Sequence, residues 1–306
     1  MAVDVAGRRV GFVGLGNMGG RITRRLLGAG LAVTGFDPRP GAVAAAGAAE
    51  ASSLGDLVRG SDVVLLSLPD SRVVEDVVAG AGGILSAARA GLVVVDLSTS
   101  APASTARLHT RLAQSGVVYL DVGISGGAAA AEAGTLTLMA GGPIAVLDQL
   151  GWLFEPIAAR VFHMGRSGAG HSAKLLNNFL NAVSLAATAE VMIAAKKAGL
   201  DLARLLEVIN HSSGVNFATL HRFPSIIRGD YLEGGLTNAL MTKDVALYVD
   251  YVRGLGAPSL NAAGPLASFG LANSLGYADR ISNTVVDALG DVAGGIRLSD
   301  TQTQEG

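Results

Sequence analysis

Residues 9–37 decide the fold of this chain, because they contain the glycine-rich sequence Gly14-Leu15-Gly16-Asn17-Met18-Gly19. An apolar stretch precedes the glycines, and a helical pattern after them leads to a second apolar stretch at residues 32–36. In a chain with 42 glycines this spacing alone is weak evidence, but its position between a strand and a helix is typical of a dinucleotide-binding βαβ unit. Such glycines let the backbone approach a pyrophosphate at a helix N-terminus. The segment therefore predicts a nicotinamide dinucleotide cofactor.

The residue after the second strand bears on the choice of cofactor. Asp37 can accept hydrogen bonds from a ribose hydroxyl and repels a 2′-phosphate, so it favours NAD. Arg39, two residues later, could instead attract the phosphate of NADP. We predict NAD and keep NADP as a possible cofactor.

Short apolar stretches alternate with helical patterns beyond this unit. Residues 62–68 and 91–97 are nearly continuous runs of Val and Leu, which suit strands buried on both faces of a parallel sheet. The predicted fold class is α/β, with an N-terminal doubly wound sheet of the Rossmann type.

Polar residues follow two of these predicted strands. Ser98 and Thr99 come after one strand, and Ser125 with Gly126 and Gly127 comes after the strand at residues 117–124. Ligands of doubly wound sheets bind beyond the carboxyl ends of the strands. Ser98 or Thr99 could also cap the next helix. The glycines could form a simple turn, or they could expose backbone N–H groups that bind a carboxylate.

A long helix is predicted from Gly168, and Gly199 provides a left-handed residue at its end. Only four of the 23 basic residues of the chain are Lys, and one of these is Lys174 on this helix. Arg cannot release its proton, whereas the pKa of a partly buried Lys can fall toward neutrality. Lys174 is therefore a candidate acid/base, and Asn178 shares its helix face. The alternative is that Lys174 only covers apolar surface with its stem.

Composition excludes several classes of site and partner. The chain of 306 residues has no Cys and a net charge of -2, which exclude thiolate chemistry and a basic nucleic-acid footprint. The five His lack metal-ligand spacing, so we expect no metal. No long run escapes charge or Asn and no signal peptide is evident, so we expect no membrane span and a cytoplasmic location.

The rest of the chain has helical patterns without strand alternation. We predict a dinucleotide-binding domain at 1–166, an interdomain helix at 167–198, an all-helical domain at 199–297 and a disordered tail at 298–306.

Several segments in this order resemble the β-hydroxyacid dehydrogenase family, which includes 3-hydroxyisobutyrate dehydrogenase and tartronate semialdehyde reductase. They are residues 14–19, Asp96-Leu97-Ser98-Thr99 with Pro102, Ser125-Gly126-Gly127, Gly168-Ala169-Gly170 with Lys174 and Asn178, and Lys243-Asp244. One departure is that the family commonly reads Asp-Ala-Pro-Val before Ser-Gly-Gly, whereas residues 121–124 read Asp-Val-Gly-Ile, which is closer to the phosphogluconate dehydrogenase relatives.

The resemblance implies an oxidoreductase that transfers hydride between NAD(P) and a small 3-hydroxy acid or its semialdehyde. It implies that Lys174 is the catalytic acid/base, and that the protein assembles as a homodimer or homotetramer, with its second domain serving substrate binding and oligomerisation. The implied substrate-binding residues are Ser125, Gly126, Gly127 and Asn178. The cofactor-binding residues are Gly14, Leu15, Gly16, Asn17, Met18, Gly19, Asp37, Leu68, Thr99 and Lys243.

Two alternative functions remain at this point. A dinucleotide-binding protein without catalysis would not need Lys174 or Asn178, and an imine reductase of the same architecture is expected to replace the lysine.

Asn181 bears on whether the reaction includes decarboxylation. It stands where decarboxylating relatives carry a glutamate that protonates the product. An amide cannot supply that proton, so we predict that the carbon skeleton stays intact.

Overall fold

The computed structural model describes residues 7–232 and 234–299. Its strands are β1 (Arg9–Val13), β2 (Ala32–Phe36), β3 (Ala49–Glu50), β4 (Val63–Leu66), β5 (Val93–Asp96), β6 (Val118–Ser125), β7 (Leu136–Gly141) and β8 (Ala158–Gly165). They form one sheet in the order β3-β2-β1-β4-β5-β6-β7-β8. The pair β6 and β7 is antiparallel, and the other neighbours are parallel. The predicted doubly wound α/β sheet is confirmed.

Both faces of the central strands are buried, as their continuous apolar sequences predict. Val63 and Leu65 of β4 lie in the core on one side of the sheet, and Val64 and Leu66 lie in the core on the other side. Alternate side chains point to opposite faces, so each face needs its own helical layer.

Nine helices of the described chain accompany the sheet. They are α1 (Asn17–Gly28), α2 (Ala42–Ala46), α3 (Leu54–Arg59), α4 (Ser71–Ala79), α5 (Ile84–Ala87), α6 (Pro102–Ala113), α7 (Gly127–Ala133), α8 (Ile144–Gln149) and α9 (Gly151–Phe154). Helix α7 begins at Gly127, two residues after the last residue of β6. The sequence analysis did not predict β3, α8 or α9, because β3 has only two residues and both helices are shorter than two turns.

The long predicted helix is α10 (Ala169–Lys197), and it ends as predicted at Gly199, whose φ is +75°. The helix is apolar and long enough to cross a membrane. At the same time, 56% of its most apolar window is buried inside the protein.

The remaining regular elements of the described chain are helical, apart from an isolated bridge between Thr237 and Ile281. The helices are α11 (Leu202–Asn210), α12 (Phe217–His221), α13 (Phe223–Ile226), α14 (Asn238–Gly254), α15 (Ala263–Ala272) and α16 (Val285–Val292), with short irregular turns at Leu260–Ala262, Asn273–Tyr277 and Ser282–Thr284. Their apolar faces surround a core of their own, in which the rings of Phe179 and Tyr248 stack 3.7 Å apart. The helical C-terminal part is therefore confirmed.

The chain forms two compact units, Met1–Lys174 and Leu175–Gly306. Leu298, which the sequence analysis assigned to a disordered tail, is buried in the core of the second unit. Residues 300–306 of that tail lie outside the described residues.

Candidate active site

The glycine loop between β1 and α1 combines close packing with one open position. Gly14 has a φ of +88°, and a Cβ there would lie 2.4 Å from the carbonyl oxygen of Ser67. A Cβ on Gly19 would lie 2.0 Å from the carbonyl oxygen of Gly14. By contrast, a Cβ on Gly16 would meet only a guanidinium nitrogen of Arg39, at 3.4 Å. The first and third glycines thus serve packing, and the second leaves backbone open to a ligand.

The N-terminus of α1 provides donors for a pyrophosphate. Its N-cap residue is Gly16, and no side chain caps the first turn. Helix N-termini of this kind present N–H groups and a positive dipole end to an anion. These features fit a dinucleotide, and residues 14–19 are the ones that would hold its phosphates.

Asp37 sits beside this loop and is held in place from two directions. One carboxylate oxygen accepts a hydrogen bond from the backbone N–H of Leu15 at 2.7 Å. Arg39 donates from Nε and Nη2 at 3.0 and 2.9 Å, so that the ion pair is bidentate. Burial alone would raise the pKa of Asp37, but the hydrogen bonds and charge of Arg39, with the Leu15 N–H, hold that pKa below its usual range. Asp37 therefore carries its negative charge at neutral pH, and its carboxylate forms an ion pair with Arg39.

The ends of β4 and β5 are joined beside the glycine loop. The hydroxyl of Ser98 accepts a hydrogen bond from the backbone N–H of Leu68 at 2.9 Å. The side chain of Leu68 reaches Gly14, where a Cβ would lie 2.9 Å from it. Thr99 is partly exposed next to Ser98. Because α6 has Ala101 as its N-cap without a side-chain hydrogen bond, Ser98 and Thr99 do not cap it.

One face of β6 carries the groups that meet the start of α10. A Cβ on Gly123 would lie 2.5 Å from the Cβ of Lys174, so the lysine stem packs directly on this strand position. Side chains two residues apart on a strand point the same way. Ser125 therefore lies on the same face of β6 as the Lys174 stem. Sequence reasoning placed Ser125 in a loop, whereas it is the last residue of the strand.

Three glycines let α10 approach β6 and β7 this closely, and we call Gly123, Gly141 and Gly170 the glycine seat. A Cβ on Gly170 would lie 2.3 Å from the carbonyl oxygen of Asp121 and 2.4 Å from that of Met139. A Cβ on Gly141 would lie 2.6 Å from a carboxylate oxygen of Asp121. Any side chain in the seat would force helix and sheet apart.

Asp121 caps the same helix end from within β6. Its two carboxylate oxygens accept hydrogen bonds from the backbone N–H groups of Gly168 at 2.7 Å and His171 at 3.0 Å. The carboxylate is fully buried, and it satisfies donors that a helix N-terminus leaves without partners. Asp121 and the glycine seat together fix the position of Lys174, which is partly buried.

A second buried group was missed by sequence reasoning. The His171 ring is fully buried, with Nδ1 hydrogen-bonded to the Thr105 hydroxyl at 2.7 Å and Nε2 3.3 Å from the carbonyl oxygen of Asp96. Tyr119 donates to the Asp96 carboxylate at 2.7 Å, and burial with the Asp96 charge raises the pKa of Tyr119 well above its usual value. Tyr119 thus remains a donor. Polar residues such as Asp96 and Tyr119 inside otherwise apolar strands are the sequence feature that could have predicted this network.

The predicted carboxylate-binding glycines follow Ser125 directly. Gly126 and Gly127 are exposed and have φ values of +124° and +67°. Gly126 is the N-cap of α7, and no side chain caps that helix.

The other predicted residues lie in the second unit, on α10 and α14. Asn178 is buried, and its Nδ2 donates to a carboxylate oxygen of Asp244 at 2.5 Å. The Nζ of Lys243 lies 3.1 Å from the other oxygen of Asp244. Asp244 therefore orients both residues, and within the described part of the chain one N–H and the carbonyl oxygen of the Asn178 amide remain for other partners.

Two family models match the chain in succession. One describes the NAD binding domain of 6-phosphogluconate dehydrogenase and matches residues 9–165. The other describes the NAD-binding part of NADP-dependent 3-hydroxyisobutyrate dehydrogenase and matches residues 168–286. The chain belongs to the β-hydroxyacid dehydrogenase family. Members of this family are NAD(P)-dependent oxidoreductases of hydroxy acids, so the predicted family, cofactor and reaction class are confirmed.

Two curated relatives illustrate the range of the family. The chain is 36% identical to 2-(hydroxymethyl)glutarate dehydrogenase of Eubacterium barkeri, over 79% of this chain and 81% of that protein. It is also 36% identical to NAD-dependent L-serine dehydrogenase of Pseudomonas aeruginosa, over 89% of this chain and 95% of that protein.

Solved structures agree with this assignment. A Mycobacterium tuberculosis 3-hydroxyisobutyrate dehydrogenase with L-serine has a TM-score of 0.81 and 31% identity, covering 92% of this chain and 99% of that one. An imine reductase from Pseudomonas sp. has a TM-score of 0.60 at 20% identity over 92% of this chain and 99% of that one, which shows a shared fold alone.

Proposed function

We propose that this β-hydroxyacid dehydrogenase transfers hydride from the alcohol carbon of a small 3-hydroxy acid to NAD. In the reverse direction it transfers hydride from NADH to the aldehyde carbon of the semialdehyde, and in both directions it leaves the carbon skeleton intact. The observation that carries the proposal is the single face of β6 on which Ser125 and the stem of Lys174 lie together. Relatives of similar sequence are named for 3-hydroxyisobutyrate, L-serine and 2-(hydroxymethyl)glutarate, all of which have a hydroxyl on the carbon β to a carboxylate.

Each residue has a defined task in this proposal. Ser125 and the backbone N–H groups of Gly126 and Gly127 hold the substrate carboxylate and so fix its orientation. Lys174 accepts the hydroxyl proton during oxidation and returns it during reduction. The free N–H of Asn178 donates to the hydroxyl oxygen, while Asp244 holds the amide in position. Bound NAD supplies the hydride acceptor.

A substrate panel tests the proposal directly. We expect turnover of 3-hydroxyisobutyrate, L-serine or related 3-hydroxy acids with NAD, followed as NADH absorbance. NAD binding without turnover of any hydroxy acid or semialdehyde would contradict it and would favour a non-catalytic dinucleotide-binding protein. Activity on cyclic imines alone would favour an imine reductase.

The proposal includes NAD preference, with Asp37 as its cause. Replacing Asp37 by Ala should raise the ratio of kcat/KM for NADP over NAD by about 10- to 100-fold, because the substitution removes a charge that repels the 2′-phosphate and releases Arg39 to bind it. Steady-state kinetics with both cofactors measures this ratio. The matched variant is the double change Asp37→Ala with Arg39→Ala, which should recover little NADP activity. Equal kcat/KM for both cofactors in the unaltered protein would refute NAD preference.

We also propose that oxidation proceeds without enzyme-promoted decarboxylation. An enzyme that promotes loss of carbon dioxide must protonate the resulting enol carbon. Asn181 stands at the relevant helix position, and its carbonyl oxygen accepts a hydrogen bond from Arg222 at 3.0 Å, so it has no proton to give there. Carbon dioxide release should stay at the rate of spontaneous decay of the isolated product. Release in step with NADH formation would be the contrary result.

Self-association is the last part of the proposal, together with a cytoplasmic location. The second unit exposes large apolar side chains, among them Leu180, Phe217, Leu255 and Leu260. Exposed apolar surface of this kind is typical of subunit interfaces. It supports a homodimer or homotetramer, which light scattering of the purified protein would test.

A further inference from the structure

Arg222 is a basic side chain of the second unit, and its side-chain hydrogen-bond partners among the described residues are neutral. It lies between α12 and α13, and it is partly buried. Its Nη1 donates to the carbonyl oxygen of the Asn283 side chain, and its Nη2 to that of Asn181, both at 3.0 Å. The centroid of the Phe217 ring lies 5.7 Å from the Cζ atom of Arg222.

Among the residues that the structure describes, no carboxylate neutralises the charge of this guanidinium. No carboxylate of residues 7–232 or 234–299 forms an ion pair with Arg222, whereas Arg297 in the same unit pairs with Asp291 at 2.5 Å. Burial lowers the pKa of Arg222 to about 10. A guanidinium has five N–H groups, and the described partners of Arg222 use two of them. A partly desolvated cation with spare donors and neutral neighbours is a strong attractor for an anion.

The position of Asn181 relates this cation to the proposed chemistry. Asn181 follows Lys174 by seven residues on the continuous helix α10. Seven residues make two turns, so the two side chains project from the same helix face about 10 Å apart along the axis. Asn178 lies on that face between them. The guanidinium is therefore anchored on the helix face that carries the proposed catalytic residues, two turns beyond the lysine.

We propose that Arg222 binds a second anionic group of the substrate, a carboxylate or a phosphate at the end remote from the reacting carbon. The proposal rests on the function proposed above, and it narrows the substrate class to 3-hydroxy acids with two anionic groups. Asn181 and Asn283 hold the guanidinium plane, which leaves a fork of donors for bidentate contact with the anion.

The experiment compares two acids that differ only in the second anion. They are 2-(hydroxymethyl)glutarate and 2-(hydroxymethyl)pentanoate, in which a methyl group replaces the terminal carboxylate. A third probe, 2,3-dihydroxy-4-phosphobutanoate, distinguishes phosphate from carboxylate. We expect the unaltered protein to prefer an acid with two anionic groups by about 10- to 100-fold in kcat/KM, mainly through KM.

The variant Arg222→Gln should abolish that preference, because it should lower kcat/KM for the acid with two anionic groups far more than kcat/KM for the mono-acid. Arg222→Lys keeps the charge but loses the fork, so it should retain part of the preference. The matched control is Arg228→Gln, because Arg228 is exposed nearby and bonds only to Ser225 among its described neighbours. It should leave the preference unchanged.

The outcomes separate this inference from the proposed function. Turnover of the mono-acid without any preference for a second anion overturns the role of Arg222 but not the dehydrogenase activity. Equal losses for both acids in Arg222→Gln would show that the residue only joins helices, and would also overturn the inference. Failure of all hydroxy acids overturns both. If Arg222→Gln does not fold, the inhibition constants of glutarate and pentanoate are compared in the unaltered protein. Glutarate, which has the second carboxylate, should bind at least tenfold more tightly than pentanoate.

Discussion

Replacing Lys174 by Arg is expected to lower kcat by about 10³-fold, within the range that general acid/base catalysis contributes. Arg keeps the positive charge and a similar length, but it cannot release its proton to serve as the base. The loss should therefore appear in kcat rather than in the affinity for NADH. Steady-state kinetics, together with NADH binding followed by fluorescence, measures both quantities.

The control for this prediction lies on the same helix. Lys197 is exposed near the end of α10 and donates to the carbonyl oxygen of Ala293 at 3.1 Å. Lys197→Arg preserves a donor at the surface and should change kcat by less than about twofold. If Lys174→Arg retained near-normal kcat with intact folding, the acid/base role would belong to another group.

The fold was predictable because its evidence is local. The glycine spacing at residues 14–19, the Val and Leu runs of β4 and β5, and the terminal Gly199 of α10 each determine structure through neighbouring residues. Periodicity, buried parallel strands and left-handed glycines are properties that a short window of sequence contains. The strongly patterned strands and the long helix α10 were consequently predicted, and helices shorter than two turns such as α8 and α9 were not.

The hydrogen bonds that hold the candidate site residues in place could not be predicted in the same way, because they join residues that are far apart in the sequence. Arg222 bonds to residues 41 and 61 positions away along the chain. Asp121 caps a helix end 47 residues later. A lone Asp inside the apolar strand β6 indicates a buried polar partner, but only the structure shows that this partner is the end of α10 that leads to Lys174.

The contacts around residue 123 explain what the departure from the family motif at this position does. Where the family commonly has proline, this chain has Gly123, and a Cβ at this position would lie 2.5 Å from the Cβ of Lys174 and 3.1 Å from the carbonyl oxygen of Gly170. Ordinary contacts between carbon atoms are about 3.5 to 4.0 Å. The Lys174 stem therefore packs closer to β6 here than a proline at residue 123 would permit.

Gly123→Ala is accordingly expected to lower kcat by on the order of 10²-fold, because the added methyl group must move the base of the Lys174 side chain by about 1 Å. The atoms that it meets are a Cβ and a backbone oxygen, which cannot swing aside as the end of a flexible side chain can. Overpacking should also cost about 1 to 3 kcal/mol of the free energy of unfolding. The affinity for NADH should change little, since the glycine loop follows β1 and not β6.

The comparison that makes this prediction specific is Gly11→Ala on β1. A Cβ there would lie 2.4 Å from a methyl carbon of Leu57 and 2.6 Å from the Ser61 hydroxyl, so it also overpacks the first unit, but away from α10. We expect Gly11→Ala to lower the free energy of unfolding by an equal or smaller amount, because it meets the ends of two side chains, while kcat at saturating NAD stays within about twofold. Equal effects of the two substitutions on kcat would mean that Gly123 supports the fold in general. A loss of kcat confined to Gly123→Ala would show that the distance between β6 and α10 sets the position of Lys174 and that this position matters for turnover.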